Sequence, residues 1–116
     1  VYGDGGHVRC WLHVDEHCAA IWHLASGAGQ IGEIYHIAGE QELTNFELAR
    51  SILRTLGKPE DAIRLVPDHN IRPGHDRRYA LDCAKLQATG WTIQQNLEER
   101  LAETVIWYKD NPEWLA

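Results

Sequence analysis

The run Arg72-Pro73-Gly74-His75-Asp76-Arg77-Arg78-Tyr79-Ala80-Leu81-Asp82 gathers three arginines and a histidine within seven positions. The chain around it is acidic: 11 Lys and Arg stand against 17 Asp and Glu, a formal net charge of -6. A cationic cluster set against that field suits a small, well-placed anion, whereas a nucleic-acid surface spreads its charge over a wider face. A guanidinium is a planar fork of donors that matches two oxygens of a phosphate or carboxylate. Pro73-Gly74 interrupts regular structure where a backbone must approach a ligand. A diphosphate satisfies both features. The competing reading is a set of surface arginines paired with Asp61, Asp68, Asp76 and Asp82.

The elements that must position these residues can be read from periodicity and caps. Val8, Cys10, Leu12 and Val14 alternate with Arg9, Trp11 and His13. This predicts a strand after the Asp4-Gly5-Gly6 turn, with Arg9 on the face of Trp11 and His13. Asp15 is the expected cap of a helix in which Cys18, Ile21, Trp22 and Ala25 fall at helical spacing, ending near Gly27. Ile34-Tyr35-His36-Ile37 reads as a strand. Thr44 and Glu47 spell a capping box and Leu43 with Leu48 a hydrophobic staple. Phe46, Ala49, Ile52, Leu53 and Leu56 form the apolar face of that helix before Gly57 and Pro59 stop it. Asn45 then lies in the first turn, where free N–H groups and the helix dipole favour an anion.

Beyond that helix, Ile63–Val66 and Arg78–Leu81 are expected strands, with an irregular loop from Asp68 to His75. Asp82 caps a short helix through Leu86 that stops at Gly90. Asn96 and Glu99 open a last helix with Leu97, Leu101, Val105 and Tyr108 on one side, ended by Asp110-Asn111-Pro112. Strands alternating with helices predict an α/β arrangement. At 116 residues and 44% hydrophobic content, residues 1–116 can form one core and read as a single domain. No stretch approaches the roughly 18 apolar residues of a membrane span, and no charged-then-apolar leader opens the chain. Cys10, Cys18 and Cys83 make no paired framework and suit reduced thiols. A soluble cytoplasmic protein without nucleic-acid or membrane partners is therefore expected.

Gly27-Ala28-Gly29-Gln30-Ile31-Gly32 spells G-x-G-x-x-G, a pattern that binds pyrophosphate only after a strand and at the opening of a helix. Here a helical pattern precedes it and a strand-like one follows, so it reads as an αβ connection. A second class of function rests on Cys10, His13, His17 and Cys18, four potential metal ligands within nine residues, which could bind zinc. Their spacing is irregular, since His17 and Cys18 point apart on a helix. A third reading is a self-associating or partner-binding module without ligand, drawn from five tryptophans, Trp11, Trp22, Trp91, Trp107 and Trp114.

The run RPGHDRRYALD, followed by Lys85-Leu86 and Thr89-Gly90-Trp91, strongly resembles the C-terminal part of the dTDP-glucose 4,6-dehydratases, members of the extended short-chain dehydrogenase/reductase group. Tyr2-Gly3-Asp4-Gly5 with Val8-Arg9, Trp11-Leu12, Val14-Asp15 and His17 is similar to that family's YGDG and RDWLYVEDH. Ile34-Tyr35, Ile37 and Gly39 resemble its YNIGG, Glu42-Leu43-Thr44-Asn45 its ELTN, and Glu99, Leu101, Glu103-Thr104-Val105 and Trp107-Tyr108 its last helix. The resemblance covers nearly the whole chain. Looser relatives, the epimerases and decarboxylases of nucleotide sugars, share the YGDG and helix pieces but are set apart by the arginine run.

The resemblance implies an α/β fold that is the C-terminal substrate-binding portion of an extended short-chain dehydrogenase/reductase. It would have short strands alternating with four helices and lack the N-terminal NAD-binding Rossmann half. That half carries the family's Tyr-x-x-x-Lys pair, and no such spacing occurs here. The implied partner is a dTDP-sugar, with NAD bound in the parent family but not by this chain. A separate N-terminal half or a second copy is a further partner, and no catalytic residue or turnover is expected of the chain alone. By motif, Tyr2 would pack near the thymine, Arg9 and Arg72 would contact the diphosphate, Asn45 the nucleotide, and His75 would lie beside Arg72. Arg77, Arg78 and Tyr79 would hold the loop and strand. Three departures bear on that assignment: Cys10 replaces an Asp beside Arg9, His36 and Ala38 replace Asn and Gly, and His69-Asn70-Ile71 looks inserted before Arg72.

Overall fold

The computed structural model describes residues 1–67 and 74–115. Its frame is a three-stranded sheet in which β1 (Val8–Cys10) lies between β2 (Glu42–Thr44), antiparallel to it, and β3 (Arg78–Tyr79), parallel to it. Arg9 sits opposite Leu43 on one side and Tyr79 on the other. The alternation through Val14 predicts a longer strand than forms. His13 ends it by taking the N-cap of α1 (Val14–His23), its Nδ1 accepting the Asp15 N–H at 3.2 Å. The cap is therefore His13 rather than Asp15, and Trp11 and His13 lie beyond the ladder that holds Arg9. β2 was not expected at all, because its three residues carry no alternation of their own.

The face of α1 also differs from expectation. Glu16 and Ala20 are its buried residues, whereas Cys18, Ile21, Trp22 and Ala25 are exposed, Trp22 at 74%. The apolar period is present, and it turns to solvent in this chain. Glu16, only 2% exposed, accepts the Gln94 N–H at 3.0 Å and an Arg100 N–H at 3.2 Å, which fastens α1 to the later half of the chain. Burial would raise its pKa; the Gln94 and Arg100 donors outweigh that and hold the carboxyl below its usual range.

After α1 the chain passes through a π-helical turn, Leu24–Ala28, and Gly27 takes a φ of 122° that a side chain would resist. Residues 34–37 do not form the expected strand. Tyr35 and Ile37 pack on the core of Ala20, Leu86 and Trp91 while Ile34 is 78% exposed. They keep a strand's alternation but have no ladder partner among the described residues. Gly39 follows, packed so tightly that an added Cβ would overlap the Trp11 carbonyl.

α2 (Asn45–Thr55) is opened by the expected Thr44–Glu47 capping box. It closes in a Schellman arrangement, with Gly57 N–H on the Arg54 carbonyl and Lys58 N–H on that of Leu53. Ile63–Val66 is not a strand. Val66 makes one bridge to Tyr2, because Gly3 at φ 61° turns the chain away after a single pairing. The N-cap of α3 (Ala84–Gln87) is Cys83 rather than the expected Asp82, which sits one residue earlier and accepts the Ala84 N–H at 2.8 Å; the helix buries Leu86 completely. α4 (Leu97–Asp110) begins at Asn96, which accepts the Glu99 N–H at 2.9 Å, and it buries Val105.

The packing is open. The radius of gyration is 16.6 Å, against about 13 Å for a compact domain of this length. The accessible surface is 8169 Å², against about 6,400 Å² for a folded monomer of this mass.

Candidate functional site

β1 delivers Arg9 to the parallel edge of the sheet, where β3 delivers Tyr79 beside it. The Arg9 guanidinium lies 4.2 Å from the centre of the Tyr79 ring, donates to the Val8 carbonyl at 2.6 Å and the Asp76 carbonyl at 3.2 Å, and meets His75 Nε2 at 2.8 Å. Each of these partners is a neutral acceptor or a π-face. Among the described residues Arg9 forms no ion pair.

Arg77 and Arg78 differ. Arg77 makes a two-pronged pair with Asp4 at 2.7 and 3.0 Å, and Arg78 pairs with Glu42 at 2.7 Å, tying β3 to β2 across β1. These are the holding roles expected of them. Among the described residues their carboxylate partners are Asp4 and Glu42 rather than the Asp61, Asp76 or Asp82 of the surface-pairing reading, whose fourth carboxylate, Asp68, lies outside the described residues. Asp76 instead hydrogen-bonds the Tyr79 hydroxyl, which raises the Tyr79 pKa. Hydrogen bonds from Arg77 and from the Gly6 N–H lower the Asp4 carboxyl to about 2.

His75 stacks on His7 with ring centres 4.4 Å apart and planes 21° from parallel. His7 is only 6% exposed, and sequence reasoning missed it because its ring partner lies far along the chain and no motif spacing marks it. Its carbonyl accepts the Asn45 N–H at 2.9 Å, so the first turn of α2 is fastened beside the two histidines.

This corrects the expectation for α2. The Phe46 N–H goes to the Gly5 carbonyl and the Glu47 N–H to the Thr44 hydroxyl, so the first N–H groups are already taken and do not offer an anion site. What remains available there is the Asn45 side-chain amide. Tyr2 enters the same region through its Val66 bridge and the turn carrying Asp4. Thus Arg9, Asn45 and His75 are connected through His7 and β1. Arg72 and the His69-Asn70-Ile71 stretch lie outside the described residues.

The other candidates do not assemble. Among the described residues no three His, Cys, Asp or Glu side chains converge as a metal-holding set, so Cys10, His13 and His17 do not form one. Cys10 Sγ faces Glu42 and the Tyr79 carbonyl, and His13 is engaged as a helix cap. The Gly27–Gly32 stretch does not fit a dinucleotide, since α1 runs into it and no helix opens after it. A cleft of about 670 Å³ lies between residues 11–15 and α4, with Leu48 of α2 on its wall, and it contains none of the cluster. No helix among the described residues is long and apolar enough to cross a membrane.

A short α/β sheet with helices of this order is the frame of the extended short-chain dehydrogenase/reductases, and the superpositions below bear this out. Residues 1–104 match the family model described as GDP-mannose 4,6 dehydratase, and the chain belongs to that family. It is similar to the dTDP-glucose 4,6-dehydratase of Streptomyces niveus, 49% identical over 115 residues that cover 98% of this chain and 33% of that protein. It is also similar to the dTDP-glucose 4,6-dehydratase of an Actinoplanes species, 46% identical over 98% of this chain and 35% of the relative. Among solved structures, the dTDP-glucose 4,6-dehydratase of Bacillus anthracis in complex with NAD superposes with a TM-score of 0.88 at 43% identity, over 98% of this chain and 35% of that one. The Streptomyces venezuelae enzyme with NAD and TYD bound gives 0.86 at 46% identity, over 97% and 34%. The chain spans about a third of the length of the curated relatives it matches.

Proposed function

We propose that this chain supplies the nucleotide grip of a dTDP-glucose 4,6-dehydratase-type lyase of deoxysugar formation, acting in the cytoplasm on a dTDP-sugar. The observation that carries the reading is Arg9, whose charge is held in place by neutral partners while its neighbours Arg77 and Arg78 are ion-paired. A guanidinium oriented in this way is prepared for the oxygens of a diphosphate. Arg9 and Arg72 contact the diphosphate in this reading, and His75 lies beside Arg72 at the ligand. Asn45 bonds the nucleotide through its amide, and Tyr2 packs near the thymine.

Chemistry at the sugar belongs to the two thirds of the relatives' length that this chain does not span, where the family's NAD would be held. Calorimetric titration with dTDP-glucose tests the grip. Saturable binding weakened about tenfold or more in Arg9→Ala is expected from loss of a charged donor, with Arg77→Ala changing it far less. Absence of saturable binding in the parent chain refutes the reading. Conversion of dTDP-glucose by the chain with NAD refutes the inactivity.

A second reading, a self-associating or partner-binding module, is favoured by the open packing. The surface exceeds that of a compact monomer by about 1,750 Å², and the apolar stripe of α1 lies within it. The two readings are compatible.

A further inference from the structure

Three of the expected ligand residues, Arg9, Asn45 and His75, come from β1, the start of α2 and the entry to β3, and one residue joins them. His7 is nearly enclosed, at 6% exposure. Its ring lies flat against His75, and its carbonyl receives the Asn45 N–H at 2.9 Å. The next residue, Val8, begins β1 by donating its N–H to the Arg77 carbonyl at 2.8 Å, so His7 occupies the corner where all three elements meet.

We propose that His7 is a positioning residue of the binding cluster, holding the plane of His75 through its ring and the first turn of α2 through its carbonyl. This rests on the nucleotide-grip reading above.

The physical argument concerns the plane. A guanidinium has donors only, so in its 2.8 Å contact with Arg9 the His75 Nε2 accepts, and the proton of the imidazole resides on Nδ1. That contact is directional: rotation of the His75 ring carries Nε2 away from Arg9 and breaks it. A second flat ring at 4.4 Å and 21° opposes the rotation along its whole face. An aliphatic side chain of similar bulk would fill the space without fixing the plane. The roles of the two histidines are therefore distinct, His75 at the ligand and His7 behind it.

The test uses the full chain with His7→Leu, which keeps bulk without a plane, and His7→Phe, which restores the plane without ring nitrogens. Two readouts are taken: the imidazole nitrogen resonances of His75 in ligand-free protein, and the affinity for dTDP. His75 in the parent chain is expected to show the Nδ1-protonated tautomer. His7→Leu is expected to lose that signature and weaken dTDP binding about tenfold, the scale of a lost hydrogen bond to a charged group. His7→Phe is expected to recover most of both. Equal behaviour of the Leu and Phe variants, or an unchanged His75 signature in His7→Leu, overturns the proposal. If His7→Leu does not fold, the Phe variant decides alone: retention of the His75 signature supports the stacking role and its loss overturns it. A parent chain that does not bind dTDP defeats the nucleotide reading, while the resonance readout still decides the role of His7.

Discussion

Arg9, Arg77 and Arg78 present the same chemical group to three different surroundings: Arg77 and Arg78 close on carboxylates, while Arg9 rests on neutral acceptors and a ring face. Arg77 closes a fork on Asp4 in which both side chains remain more than half exposed, so the pair adds little to stability. It does set the titration of Asp4, which the Arg77 hydrogen bond lowers from its ordinary 3.8 to about 2. Because the folded value lies below the unfolded one, the contribution is present above about 3.8 and is lost as pH falls through about 2. A carboxyl-carbon NMR titration should therefore place the Asp4 midpoint near 2 in the parent chain and return it toward 3.8 in Arg77→Ala; a parent midpoint near 3.8 contradicts the pairing. At this scale the sequence exposed the arginines, because charge is visible in composition. It did not show which arginine was neutralised, since Asp4 and Glu42 reach Arg77 and Arg78 only through the register of the folded sheet.

Helices and strands were unequally legible for a related reason. A cap is a contact between residues three apart, so Thr44 with Glu47 and Asn96 with Glu99 could be read directly and form as expected. A strand exists through a neighbour distant in sequence. Thus β2 went unread, the run from Val8 shortened to Cys10, and residues 34–37 kept their alternation without a ladder partner among the described residues. The α1 cap failed for a subtler cause: His13 carries a ring nitrogen that reaches the Asp15 N–H, a role ordinarily assigned to Asp, Asn, Ser or Thr. The capping box of α2 matters to the site because it fixes Asn45, the next residue. Thr44→Ala is expected to lower stability by about 1 kcal/mol while Thr44→Ser stays near the parent, as measured by urea unfolding. Equal losses in both variants would mean that the cap does not hold this helix.

Across the whole molecule, the apolar surface and the apolar pattern disagree, and the disagreement is informative. Cys18, Ile21 and Trp22 recur at the spacing of a buried helix face and yet lie exposed, and Ile34 projects from a run that alternates like a strand. Sequence periodicity reports that a face is built to be covered; it does not report whether the cover lies within the same 116 residues. The area supports this. A standard interface removes about 800 Å² from each partner, and the excess over a compact monomer is about twice that. Unless another chain covers this face, it favours association between copies. Sedimentation of the isolated chain should show an apparent mass rising above 13.2 kDa with concentration. Trp22→Glu, which places a charge on the stripe at an already exposed position, should suppress that rise while leaving the far-ultraviolet circular dichroism of the helices unchanged. A mass fixed at the monomer value across the micromolar range would show that the open face tolerates water. A Trp22→Glu variant that associates as strongly as the parent would move the contact away from α1, toward the exposed Trp107, Trp114 and Leu115 at the other end of the chain.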